Sequence, residues 1–149
     1  MKRTLIITLL VFLSSLNYAQ SEISNGSLTI GKEYNSLNGN YFFVFQSDGN
    51  LVVYLRDIRA IWNSKTNGQG ADKCIMQQDG NLVIYTGTNV LWSTGTADYT
   101  HKDTKLVIQN DGNLVLLWQI PCTVVPLWSS KTGKWNSDQI QEFINNKCK

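Results

Sequence analysis

Three stretches alternate apolar and polar residues with the two-residue period of a half-buried strand, and all three are written almost identically. Residues 46–54 read QSDGNLVVY, 77–85 read QQDGNLVIY and 109–117 read QNDGNLVLL. In the first, Leu51, Val53 and Leu55 fall on one face, and Asn50, Val52 and Tyr54 on the other. The second splits Leu82 and Ile84 from Asn81, Val83 and Tyr85; the third splits Leu114 and Leu116 from Asn113, Val115 and Leu117. An apolar run precedes each copy: YFFVF at 41–45, CIM at 74–76 and LVI at 106–108. Asp-Gly between two such runs predicts a hairpin, because glycine accepts positive φ and aspartate caps the turn, so Gly49, Gly80 and Gly112 mark three turns. IWNS, LWST and LWSS follow the copies and add a short strand carrying Trp62, Trp92 or Trp128. Each repeat therefore predicts strand, tight turn, strand, loop and short strand.

The repeats begin 31 and 32 residues apart. A unit that small cannot bury its own apolar face, so the three must share a core. The pattern predicts a closed, pseudo-threefold all-β arrangement. The leucine faces point inward and the three tryptophans meet near the axis as core rather than as ligand platforms. The polar faces repeat as faithfully as the apolar ones, and folding alone does not require that.

Both ends depart from this period. SDQIQEFINNK at 137–147 has Ser137 as a candidate N-cap, with Ile140, Phe143 and Ile144 at helical spacing. It predicts a short C-terminal helix that caps the domain. At the other end, Met1-Lys2-Arg3, an apolar run over 5–16 and NYAQ read as a secretory signal peptide cleaved after Ala19. The run falls short of the roughly 20 residues a membrane span needs. The expected division is a signal peptide at 1–19, a β domain at 20–133 and a helical tail at 134–149, in a secreted, extracellular protein.

Charge and cysteine content narrow the chemistry. The chain carries 13 basic and 11 acidic residues, and losing residues 1–19 would remove Lys2 and Arg3 and leave it formally neutral. With no basic run there is no expected nucleic-acid or anionic-membrane partner. His101 is the only histidine and no cysteines are closely spaced, so neither a metal site nor a cofactor is expected. Asp48, Asp79 and Asp111 lie in separate repeats and no nucleophile has a base at a suitable spacing, which argues against an enzyme. An exported chain can form disulfides. Cys122 lies in QIPCTVVP at 119–126, an insertion peculiar to the third repeat, and Cys148 lies in the tail. Pairing Cys122 with Cys148 would fasten the tail to the domain. Cys74 aligns with Phe43 and Leu106 on the inward face and is expected to be a buried thiol.

The repeated polar face carries the candidate chemistry. Gln46, Asp48, Asn50 and Tyr54 combine amide donors and acceptors, a carboxylate acceptor and a phenol, and Val52 offers a small apolar contact. Vicinal hydroxyls of a sugar, each both donor and acceptor, need such a mixture. Gln77, Asp79, Asn81, Val83 and Tyr85 repeat the set. Gln109, Asp111, Asn113 and Val115 repeat it with Leu117 in place of tyrosine.

The pattern Gln-x-Asp-x-Asn-x-Val-x-Tyr, three times over with its trailing tryptophans, resembles the sugar motif of the bulb-type mannose-binding lectins across about residues 26–133. The resemblance implies a β-prism II of three four-stranded antiparallel sheets, usually with one mannose pocket per sheet. It implies that Gln46, Asp48, Asn50 and Tyr54, and their counterparts, hydrogen-bond the sugar. Asp and Asn would engage the axial 2-hydroxyl, with the valine against ring carbons. Mannose-containing glycans are then the expected partner, and a homo-oligomer is compatible with the sequence. Leu117 implies a weak or empty third pocket, unless a one-residue bulge after Leu116 swings Trp118 onto the polar face. Gly49 also stands where family members often carry a half-cystine. The rival readings are a β-prism interaction module without sugar binding, and a toxin-like lectin acting on competing cells. Relatives of the latter kind usually carry two lectin domains, and this chain has room for one.

Overall fold

The computed structural model describes residues 21–121 and 123–133. Among these, twelve strands follow in order: β1 Glu22–Ile23, β2 Gly26–Ser27, β3 Tyr34–Asn35, β4 Tyr41–Phe45, β5 Leu51–Leu55, β6 Arg59–Asn63, β7 Lys73–Met76, β8 Leu82–Thr86, β9 Asn89–Ser93, β10 Thr104–Ile108, β11 Leu114–Ile120 and β12 Thr123–Ser129. They form three four-stranded antiparallel sheets, ordered β3-β4-β5-β6, β2-β7-β8-β9 and β1-β10-β11-β12. Each repeat supplies three consecutive strands of one sheet, as its pattern predicts. The fourth strand of every sheet comes from the segment preceding the repeats, which lays β1, β2 and β3 on the three sheets in turn. The expected C-terminal helix and the expected Cys122–Cys148 pair lie outside the described residues.

The inward faces are those that alternation assigns. Phe43, Phe45, Leu51, Val53, Cys74, Met76, Leu82, Ile84, Leu106, Ile108, Leu114 and Leu116 are all buried in one cluster. Cys74 sits among them, and burial alone pushes its thiol up to about 12. Trp62, Trp92 and Trp128 pack on this core edge to face, with ring centroids 5.5–5.7 Å apart. The perpendicular arrangement sets each ring's positive edge against its neighbour's negative face.

The turns explain how three sheets close into one body. Gly49, Gly80 and Gly112 have φ of +84°, +79° and +85°, a region costly to other residues. Each turn also abuts the repeat that follows it around the axis. A Cβ on Gly49 would lie 2.6 Å from Ala71, one on Gly80 2.8 Å from His101, and one on Gly112 2.5 Å from Tyr41. The third turn thus returns to the first repeat.

Candidate functional site

Each polar cluster is assembled on a hairpin whose loop is three residues long. Gln46 N donates to Asn50 O at 2.8 Å, and Gly49 N donates to Gln46 O at 3.0 Å. Asp48 Oδ1 accepts the Asn50 N–H at 3.0 Å; the same cap recurs from Asp79 to Asn81 at 3.1 Å and from Asp111 to Asn113 at 3.0 Å. One carboxylate oxygen of each aspartate is therefore spent on the turn. In the first repeat Asp48 is exposed, and its other oxygen remains to accept from a ligand.

The asparagines are held by residues that motif reading missed. Asn50 Oδ1 accepts from Ser64 Oγ at 3.0 Å and Thr66 N at 3.2 Å. Ser64 Oγ also receives the Leu51 N–H at 3.0 Å, and Thr66 Oγ1 donates to Gly49 O at 2.6 Å. Thr94 and Thr96 do the same for Asn81 and Gly80, with Thr94 Oγ1 donating to Asn81 Oδ1 at 2.9 Å. Ser130 and Thr132 serve Asn113 and Gly112. The signal was present as hydroxyl residues two and four places after each tryptophan, in WNSKT, WSTGT and WSSKT. Because Oδ1 is engaged, only the Nδ2 amide is left to meet a ligand, and it meets it as a donor.

Two glutamine–tyrosine pairs complete the first and second clusters. Gln46 Nε2 donates to Tyr54 Oη at 3.0 Å and Gln77 Nε2 to Tyr85 Oη at 2.8 Å. Each phenol accepts from its glutamine and keeps its own proton to donate, while the glutamine Oε1 remains an acceptor. Val52 and Val83 lie beneath these groups, mostly buried. The first two repeats therefore present one constellation twice: carboxylate and amide acceptors alternating with amide and phenol donors over a small apolar floor. Beside the second, Gln77 and Asp79 also line a cavity of about 360 Å³ with Tyr99, Lys102 and Asp103.

The third cluster is built differently. Leu117 leaves Gln109 without a phenol, and Gln109 Oε1 and Asp111 Oδ2 are buried with no hydrogen-bond partner. Gln109, Asn113, Val115 and Leu117 are 4%, 1%, 0% and 2% exposed, whereas Gln46, Gln77, Tyr54 and Tyr85 are all partly accessible. The bulge that would have turned Trp118 outward is not in its strand. In all three sheets the pairing register skips one residue of the last strand: Ile61, Leu91 and Leu127. β10 and β11 pair without interruption, Thr104 opposite Trp118, so Trp118 stays on the inward side and packs on the His101 ring, centroids 4.9 Å apart.

No family model matches the chain. It is 34% identical over 116 residues to the B-type lectin plumieribetin of Scorpaena plumieri, covering 77% of this chain and 91% of that protein. It is 35% identical over 98 residues to a mannose-specific lectin of Aloe arborescens, covering 64% and 84%. Among solved structures, a monomeric monocot mannose-binding lectin from Gastrodia elata superposes with a TM-score of 0.61 at 35% identity, covering 76% of this chain and 99% of that one. These relatives are lectins rather than enzymes, and with identity, coverage and architecture in agreement the chain belongs to the bulb-type, or B-type, lectin family.

Proposed function

We propose that this lectin is secreted and binds α-mannose-type glycans through the outer faces of its first two sheets. Gln46, Asp48, Asn50 and Tyr54 form one pocket, and Gln77, Asp79, Asn81 and Tyr85 the other, each over its valine. The observation that carries the reading is the paired orientation of donors and acceptors. Clamped asparagines leave only Nδ2 to meet a ligand, and glutamine-bound phenols keep their own proton to donate. Two adjacent hydroxyls of a hexose each find a donor and an acceptor on such a surface. The similarity to a mannose-specific lectin of Aloe and a mannose-binding lectin of Gastrodia supports the sugar. The hydrophobic leader at 5–16 supports export.

One shallow pocket of this kind binds weakly: a dissociation constant near 1 mM is about −4 kcal/mol. Calorimetric titration of methyl α-mannoside is expected to give millimolar binding, with methyl α-glucoside distinctly weaker because its 2-hydroxyl is equatorial. Equal affinity for the two glycosides would sink the assignment.

A further inference from the structure

The outer face of the third sheet is apolar and closed. Val107, Val115 and Leu117 form a buried cluster by themselves, at 2%, 0% and 2% exposure. Val124, which cross-strand pairing with Gln119 puts on the same face, is 9% exposed. The outer-face valines Val52 and Val83 are buried as well, at 3% and 2%, but the Gln46, Tyr54, Gln77 and Tyr85 side chains beside them stay partly accessible. Here Leu117 and Gln109 are closed too, at 2% and 4%, and no described apolar residue lies over the cluster. Gln109 Oε1 and Asp111 Oδ2, at its edge, are buried acceptors without donors. Buried acceptors in that state call for a partner.

We propose that residues 134–149 of this same chain dock on the third sheet's outer face, occupying the place a sugar would take. Three observations select this occupant. Gly133 lies against the Asp111 carboxylate, so the chain leaves the described domain at the pocket end of that face. The segment that follows has an apolar stripe of Ile140, Phe143 and Ile144 to cover Val107, Val115 and Leu117. It also brings amide donors at Gln139, Gln141 and Asn145 for the two orphaned acceptors. The lengths agree: 137–147 as a helix, at 1.5 Å per residue, spans roughly 16 Å. β11, at about 3.3 Å per residue, runs roughly 20 Å from Leu114 to Ile120. Laid along that strand, the tail would bring Cys148 toward the hairpin end beyond Ile120 and close to Cys122, its expected partner. The docking stands on burial and chain path and does not depend on sugar binding elsewhere.

The test is methyl nuclear magnetic resonance on the full chain with labelled Val, Leu and Ile methyls. Nuclear Overhauser effects are expected from the Phe143 ring to the methyls of Val115 and Leu117, with both methyls shifted upfield by the ring. Phe143→Ala should abolish the effects and the shifts while the Val44 and Val52 methyls hold their positions. Phe143→Leu, which keeps the apolar bulk and removes only the ring, serves if Phe143→Ala does not fold: the upfield shifts of Val115 and Leu117 should vanish. A mixed sample of labelled and unlabelled chains separates the tail's own copy from a second one. No contact from the tail to this face, or contact only between chains, would overturn the proposal, whatever the sugar titrations give.

Discussion

At the scale of single residues, the pocket depends on an amide whose two ends have separate duties. Asn81 Oδ1 is bound by Thr94 Oγ1 and the Thr96 N–H, leaving Nδ2 for the ligand. Two substitutions separate these duties. Asn81→Asp keeps the acceptor and removes the donor, so the clamp should persist while mannoside binding at the second pocket weakens by roughly 1–3 kcal/mol. Thr94→Val keeps shape and removes the hydroxyl that also receives the Leu82 N–H at 3.0 Å. It should cost about 1–3 kcal/mol of stability by leaving buried groups unpaired. The Tyr54 and Tyr85 ring signals, followed during titration, report each pocket apart. Asn81→Asp binding as the parent does would show that Nδ2 makes no sugar contact. The sequence displayed the ligand-facing residues because side chains of one face recur at period two. It hid Thr94 and Thr96, because those hydroxyls reach Asn81 only once β9 has folded back beside β8.

Among the elements, the hairpins were legible and their irregularities were not. Asp-Gly turns and alternating strands are local facts, so the strands of each repeat fall where the pattern puts them. The skipped residues Ile61, Leu91 and Leu127 belong to pairing between strands, and nothing in IWNS, LWST or LWSS announces a bulge. Likewise β1, β2 and β3 are two residues each, too short to show any period. The turn glycines serve two purposes that substitution can resolve. Gly80 and Gly87 both have positive φ, +79° and +58°, but a Cβ meets His101 and Thr104 at Gly80 and nothing within 4 Å at Gly87. Backbone strain of about 1–2 kcal/mol is common to both alanine variants. Gly80→Ala should lose clearly more than Gly87→Ala in urea unfolding, since the turn must also back away from the neighbouring repeat. Equal losses would mean that contact between repeats at the turns contributes little to closure.

Across the whole molecule, a threefold scaffold does not oblige threefold function. The three tryptophans, three turn glycines and three hydroxyl clamps are shared equally, because closure requires each sheet to present the same inner surface. The outer faces are under no such constraint, and the third has diverged. Its glutamine lacks a phenol, its amide is 1% exposed, and its valine floor is continuous with Leu117. Two sugars per chain are therefore expected. Crystals soaked in rising concentrations of methyl α-mannoside should show density beside Tyr54 and Tyr85 and none over Val115. Leu117→Tyr alone should not create a third site, since Gln109 and Asn113 would remain covered. Combined with Phe143→Ala, it should do so if the tail is what covers them. Two pockets on one rigid body still gain on a glycan that reaches both, because the second contact forms at a high effective concentration. A third sugar appearing over Val115 as early as the other two would mean that the outer face of the third sheet is open after all.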